Sequence, residues 1–129
     1  MILGFKPLFK PKILDGTKIH SIREDIHDRW EKGKKIHFAT GVRTKNYNQF
    51  DERICTGIQN VYMSYAFNDL IEITVDDKEF FGYSERLRLA QNDGFDSWEG
   101  FFNWFYPIIA KSKDNFIAYK IIHWTPFRY

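Results

Sequence analysis

Apolar positions recur along this chain in short blocks, and the spacing within each block predicts its element. Residues 2–8 have strand character, with Pro7 marking an edge or the lead-in to a turn. Phe9, Ile13 and Leu14 stand at i, i+4 and i+5 and predict a short helix over 9–14 that Gly16 stops. A turn at Asp15-Gly16 leads into the alternating run 18–23, read as a strand, and 24–32 reads as a brief helical turn before Gly33. Residues 35–42 form the next expected strand, and the polar stretch 43–52 is the longest loop candidate. Residues 53–66, rich in β-branched and aromatic side chains, predict one long or bent strand with a bulge at Gly57. The run 70–75 is a further strand, ended by Asp76-Asp77.

Two helices follow. The first, over 84–92, stops at Asp93-Gly94. Asp96-Ser97-Trp98-Glu99 carries the cap and early acid that start the second. Trp98, Phe101, Phe102 and Phe105 at i, i+3, i+4 and i+7 give that helix an apolar stripe, and Pro107 limits it. A last strand over 116–124 precedes the tail 125–129. This order predicts an α+β chain: a small mixed β-barrel with short helices packed at its ends.

At 129 residues, 43% hydrophobic and 28% charged, the composition fits one globular domain over 1–129 and argues against disorder. The longest apolar runs fall far short of the roughly 18 residues of a spanning helix, so no membrane partner is expected. The first residues lack a charged leader with an apolar stretch, which predicts a cytoplasmic chain. The single Cys55 has no internal disulfide partner and is expected as a small buried hydrophobe. No oligomeric state follows from the sequence.

Charge changes the picture more by its placement than by its sum. The net charge is +2, yet residues 1–45 hold eleven Lys/Arg against five Asp/Glu, a net +6, and the remainder holds eight against twelve, a net −4. Such a basic first third suits a phosphate backbone or another anion, and equally fits scattered, solvated lysines. Phe, Trp and Tyr make up 19% of the chain, more than a core of this size requires. Some rings are therefore expected at the surface, where Trp30 or Trp124 would stack a base. Trp98 and Trp104 are expected to pack inward. His20, His27, His37 and His123 are dispersed, with no tight pair or Cys partner, so neither a metal site nor a cofactor is predicted.

The run Ile13-Leu14-Asp15-Gly16-Thr17-Lys18-Ile19-His20-Ser21-Ile22-Arg23 resembles the signature of ASCH domains, in which a helix ending in Gly leads to a Lys and a Thr/Ser-x-Arg strand. Trp30-Glu31-Lys32-Gly33 resembles the family's W-x-x-G turn, and Asp93-Gly94-Phe95 its D/E-G-F turn before a helix. The resemblance implies a PUA-like barrel with a cleft for RNA or a nucleoside. Lys18, Arg23, Lys34 and Lys35 are then the expected phosphate or ligand contacts, with Trp30 and Trp124 for the base. One branch of the family hydrolyses N4-acetylcytidine with a Lys, a Thr three residues on, and a downstream Glu. Those roles fall on Lys18, Ser21 and Asp93, with Ser in place of Thr and Asp in place of Glu.

Amide hydrolysis asks for a nucleophile, a proton acceptor and oxyanion donors, and Ser21 with Lys18 offers the first two. On a regular strand positions 18 and 21 face opposite sides. They converge only if the turn after Gly16 has not yet become strand. Without catalysis, Lys18 and Arg23 bind phosphate or cap a sheet edge, and Ser21 hydrogen-bonds within a turn.

Overall fold

Residues 1–65 and 70–129 are described by the structure, a computed structural model. β1 (Ile2–Phe5) runs into a 3-10 turn at Pro7–Phe9 and then α1 (Lys10–Leu14). β2 (His20–Arg23), β3 (Lys35–Thr40), β4 (Asn48–Ile54) and β5 (Gly57–Tyr65) follow, then β6 (Ile71–Val75) and β7 (Lys78–Phe80). α2 (Tyr83–Asn92) and α3 (Trp98–Ala110) precede a 3-10 turn at Lys113–Asn115 and the closing β8 (Phe116–His123).

The chain is α+β, with its strands in two sheets, β1-β3-β4 and β2-β8-β5-β6-β7. β1 pairs parallel with β3, and the other pairings are antiparallel. No closed barrel forms among the described residues. Nor is any described helix long and apolar enough to cross a membrane.

Four local expectations are corrected. The stretch 43–52, read as a loop, supplies most of β4, because a polar edge strand such as Asn48–Ile54 carries little alternation to detect. The expected strand over 53–66 is two strands: the chain breaks after Ile54 and restarts at Gly57, against which the Arg128 guanidinium is packed. Residue 66 itself lies outside the described residues. Residues 24–32 form no helix; the Asp25 carboxylate instead accepts hydrogen bonds from the Arg29 and Trp30 backbone N–H groups at 2.9 and 3.0 Å. Finally, α3 runs past Pro107 to Ala110, held by Phe101, Phe105 and Ile109, all buried on one face.

Burial divides into two clusters. One lies between the five-stranded sheet and the helices and includes Val61, Met63, Ile73, Leu89, Phe101 and Phe105. The other gathers Leu3, Phe9, Ile13, Ile36, Phe38 and Trp124, and it takes in Cys55, fully buried as expected. Strand alternation makes β8 the wall they share: Ile121 faces the first cluster and Ile122 the second. Burying each such side chain contributes on the order of 2–3 kcal/mol.

Candidate functional site

A cleft of about 610 Å³ opens along the seam between the two clusters. Phe5 and Phe9 line it from one, Ile22 and Phe105 from the other, and its polar lining includes Lys18, Ser21, Arg23 and Asp93. A volume of this order suits a small organic ligand.

Local backbone explains how Lys18 arrives there. α1 ends at Leu14, Gly16 adopts a left-handed φ of +86°, and the strand begins only at His20. Within this irregular segment the Lys18 backbone N–H donates to the Lys12 carbonyl and the Ile19 N–H to that of Asn92, both at 2.9 Å. Strand parity therefore does not separate Lys18 from Ser21, and both reach the cleft. Asp93 caps the C-terminal end of α2, and Gly94 follows with φ +97°. A Cβ on Gly94 would stand 2.8 Å from Lys18 Cδ and 2.9 Å from Phe9 Cδ1, so the absence of a side chain lets the lysine stem pass.

Lys18 is 3% exposed and Asp93 4%. The Lys18 ammonium donates to the Asp93 carbonyl at 2.5 Å, to Asp93 Oδ1 at 3.2 Å and to the His20 carbonyl at 2.8 Å. Its three N–H groups are thereby used. Nζ also lies 5.1 Å from the centre of the Phe9 ring and 5.6 Å from that of Phe5. Burial pushes the Lys18 pKa down to about 8; Asp93 opposes the change, and the charge of Arg23 adds to it.

Asp93 Oδ1 also accepts from His20 Nδ1 at 3.3 Å, and the Tyr129 hydroxyl donates to His20 Nε2 at 2.5 Å. That pattern assigns His20 as the neutral Nδ1–H tautomer, and burial lowers its pKa. Asn92 Nδ2 completes the chain by donating to the Tyr129 oxygen at 3.0 Å. Burial raises the Tyr129 pKa, which keeps the phenol protonated.

Ser21 is engaged elsewhere. Its Oγ accepts from Arg23 Nε at 2.8 Å, and among the described residues no hydrogen bond joins it to Lys18. Arg23 Nη2 donates to the Gly4 carbonyl at 2.6 Å, and the guanidinium lies 4.9 Å from the centre of the Phe5 ring.

Of the predicted site residues, Lys18, Ser21, Arg23 and Asp93 converge on the cleft. The other four lie apart from it. Trp30 and Trp124 are each 6% exposed and belong to the second cluster, where Trp124 packs edge-on against Phe38 at 4.8 Å. Lys34 approaches Glu31 at 4.0 Å and Lys35 approaches Glu52 at 3.9 Å. Trp104, expected to pack inward, is 37% exposed at the cleft edge, set edge-on against Phe9 and Phe95, with Lys6 Nζ 5.0 Å from its ring centre.

The contributions of His20 and Tyr129 escape a sequence reading because their partners lie 73 and 109 residues away. Those of Phe5 and Phe9 had a usable signal, since aromatics flank the basic run on its N-terminal side. Comparison with protein-family models, with curated proteins and with solved structures finds no match to this chain.

Proposed function

We propose that the cleft receives a nucleoside or an unpaired RNA base, within a PUA-like domain of the ASCH kind that spans residues 1–129. The observation that carries this reading is the convergence of Lys18, Ser21, Arg23 and Asp93 on one cleft with aromatic walls. Phe9 and Trp104 offer ring faces and edges to a planar base, and the polar floor offers donors and acceptors to its edge. Two segments that carry the family resemblance, Gly16 to Arg23 and Asp93 to Phe95, both supply lining residues, which supports the finer fold assignment.

The inward hydrogen bonds of Lys18 suit a fixed cation in a binding floor. Fluorescence titration with short single-stranded RNA over a range of salt concentrations tests this. Binding should weaken as salt rises and should fall at least about tenfold in Trp104→Ala, the loss of one stacked ring. No binding at low salt, or full affinity in Trp104→Ala, rejects the reading.

Amide hydrolysis is the second reading, favoured by the depressed Lys18 pKa of about 8 in a cleft that also holds Ser21. At pH 7 such a group is neutral in roughly a tenth of molecules, and the neutral amine can accept the Ser21 proton. For this, Lys18 must turn from Asp93 toward Ser21, and Ser21 must leave Arg23. Incubation with N4-acetylcytidine followed by chromatography decides it. Hydrolysis predicts cytidine and acetate, with none above background in Ser21→Ala; no product from the unmodified chain rejects it.

A further inference from the structure

Arg23 stands in the cleft with no ion pair among the described residues. Among the described residues no carboxylate lies within 4.0 Å of it, and Asp93, which lines the same cleft, is already taken by Lys18 and His20. Elsewhere Arg53 is paired with Asp51, Lys120 with Asp25 and Asp28, and Lys12 with Asp96, whereas the buried Arg86 on α2, which does not line the cleft, has no carboxylate within 4.0 Å among the described residues. A guanidinium carries five N–H groups. Arg23 uses Nε on Ser21 and one hydrogen of Nη2 on Gly4, and among the described residues both hydrogens of Nη1 and the second of Nη2 find no acceptor.

The buried floor thus holds two cations, Lys18 and Arg23, against one carboxylate. At the mouth, Lys6 and Glu24 offset one another. An arginine half-withdrawn from water with unused donors costs free energy unless an anion meets it.

We infer that the cleft has an anion subsite at Arg23, so that its preferred ligand is a nucleotide, with the phosphate on the guanidinium and the base against the aromatic wall. This rests on the proposed nucleoside reading and adds the charge of the ligand to it. The fork of an arginine matches two phosphate oxygens at once. Because Ser21 Oγ accepts from Arg23 Nε, the serine's own hydrogen is free to reach the same anion.

Calorimetric titration of the full chain with cytidine, cytidine 5′-monophosphate and inorganic phosphate tests this. The monophosphate should bind at least about tenfold more tightly than cytidine, consistent with charge-assisted hydrogen bonds. That advantage should shrink with salt and vanish in Arg23→Gln, and Arg23→Lys should recover only part of it. Equal affinity for cytidine and its monophosphate overturns the anion subsite and leaves the nucleoside reading standing. If cytidine fails to bind while phosphate binds the unmodified chain and not Arg23→Gln, the subsite stands and the nucleoside reading falls. No binding of any of the three overturns both. Should Arg23→Gln fail to fold, the comparison of cytidine with its monophosphate on the unmodified chain still decides the matter.

Discussion

Replacing Asp93 with Asn tests the Lys18 pocket through its proton. At an effective dielectric constant of about 20, unit charges 3.2 Å apart attract by about 5 kcal/mol. Asparagine keeps the shape and removes that attraction, so folded Lys18 should release its proton well below neutrality. The unmodified folded chain holds this proton up to about pH 8, and the unfolded chain holds it up to the ordinary 10.5. Stability rises with pH wherever the unfolded state binds more protons. In the unmodified chain Lys18 therefore contributes a positive slope only between about 8 and 10.5, and none below. In Asp93→Asn the same slope begins at lower pH.

The difference between the two proteins should consequently be constant above about pH 8 and widen by about 1.4 kcal/mol for each pH unit below it. From about pH 8 to about pH 6 this amounts to roughly 3 kcal/mol. Urea denaturation followed by circular dichroism across that range measures it directly. A difference that stays the same at every pH would refute the argument, since it would mean that Lys18 keeps its proton without the carboxylate.

Further predictions concern the turn, the acid limb and the core. Gly94→Ala should lose about 2–3 kcal/mol, from left-handed strain and from contact with Lys18 and Phe9, and an unchanged thermal midpoint would contradict the crowding described. His123 is pushed down to about 3, chiefly by burial, with His20, once acid protonates it, and the charge of Arg128 adding to the shift. Because the folded value lies below the unfolded 6.5, its contribution is complete above pH 6.5 and is lost as pH falls toward about 3. His123→Gln should therefore show a shallower loss of stability in acid titration, and a slope equal to that of the unmodified chain would exclude His123 as its source. Phe105→Ala should cost about 3–5 kcal/mol in chemical denaturation, and a loss below about 1 kcal/mol would mean the core closes over the gap.

Where a short-range pattern controls structure, the sequence was readable. The stripe through Trp98, Phe101 and Phe105 and the cap at Ser97, whose Oγ accepts from the Gly100 N–H at 3.2 Å, locate α3. Its C-terminal limit is not legible from Pro107, because proline removes one donor and the buried Ile109 beyond it outweighs that loss. β4 is hard to read because Asn48–Ile54 has only Phe50 and Ile54 as apolar members and gains its place from pairing with β3. At the site, Lys18 and Arg23 stood out by residue type and by resemblance. Trp30 and Trp124 misled because the indole has the same composition whether it stacks a base or fills a core; only tertiary packing distinguishes the two. The His20–Tyr129 contact joins distant parts of the chain, and no local spacing encodes it.

Asp93 offers both its carbonyl and its carboxylate to Lys18 while it closes α2, so one residue ends a helix and builds the cleft floor. Chemistry and architecture are inseparable at that point, and substitutions there alter both together. The rim is under no such constraint. Lys6 and Trp104 are exposed, and Val42 is only partly covered. Changes in ligand preference should therefore accumulate at these three positions, where a side chain can be exchanged while the scaffold beneath it stays unaltered.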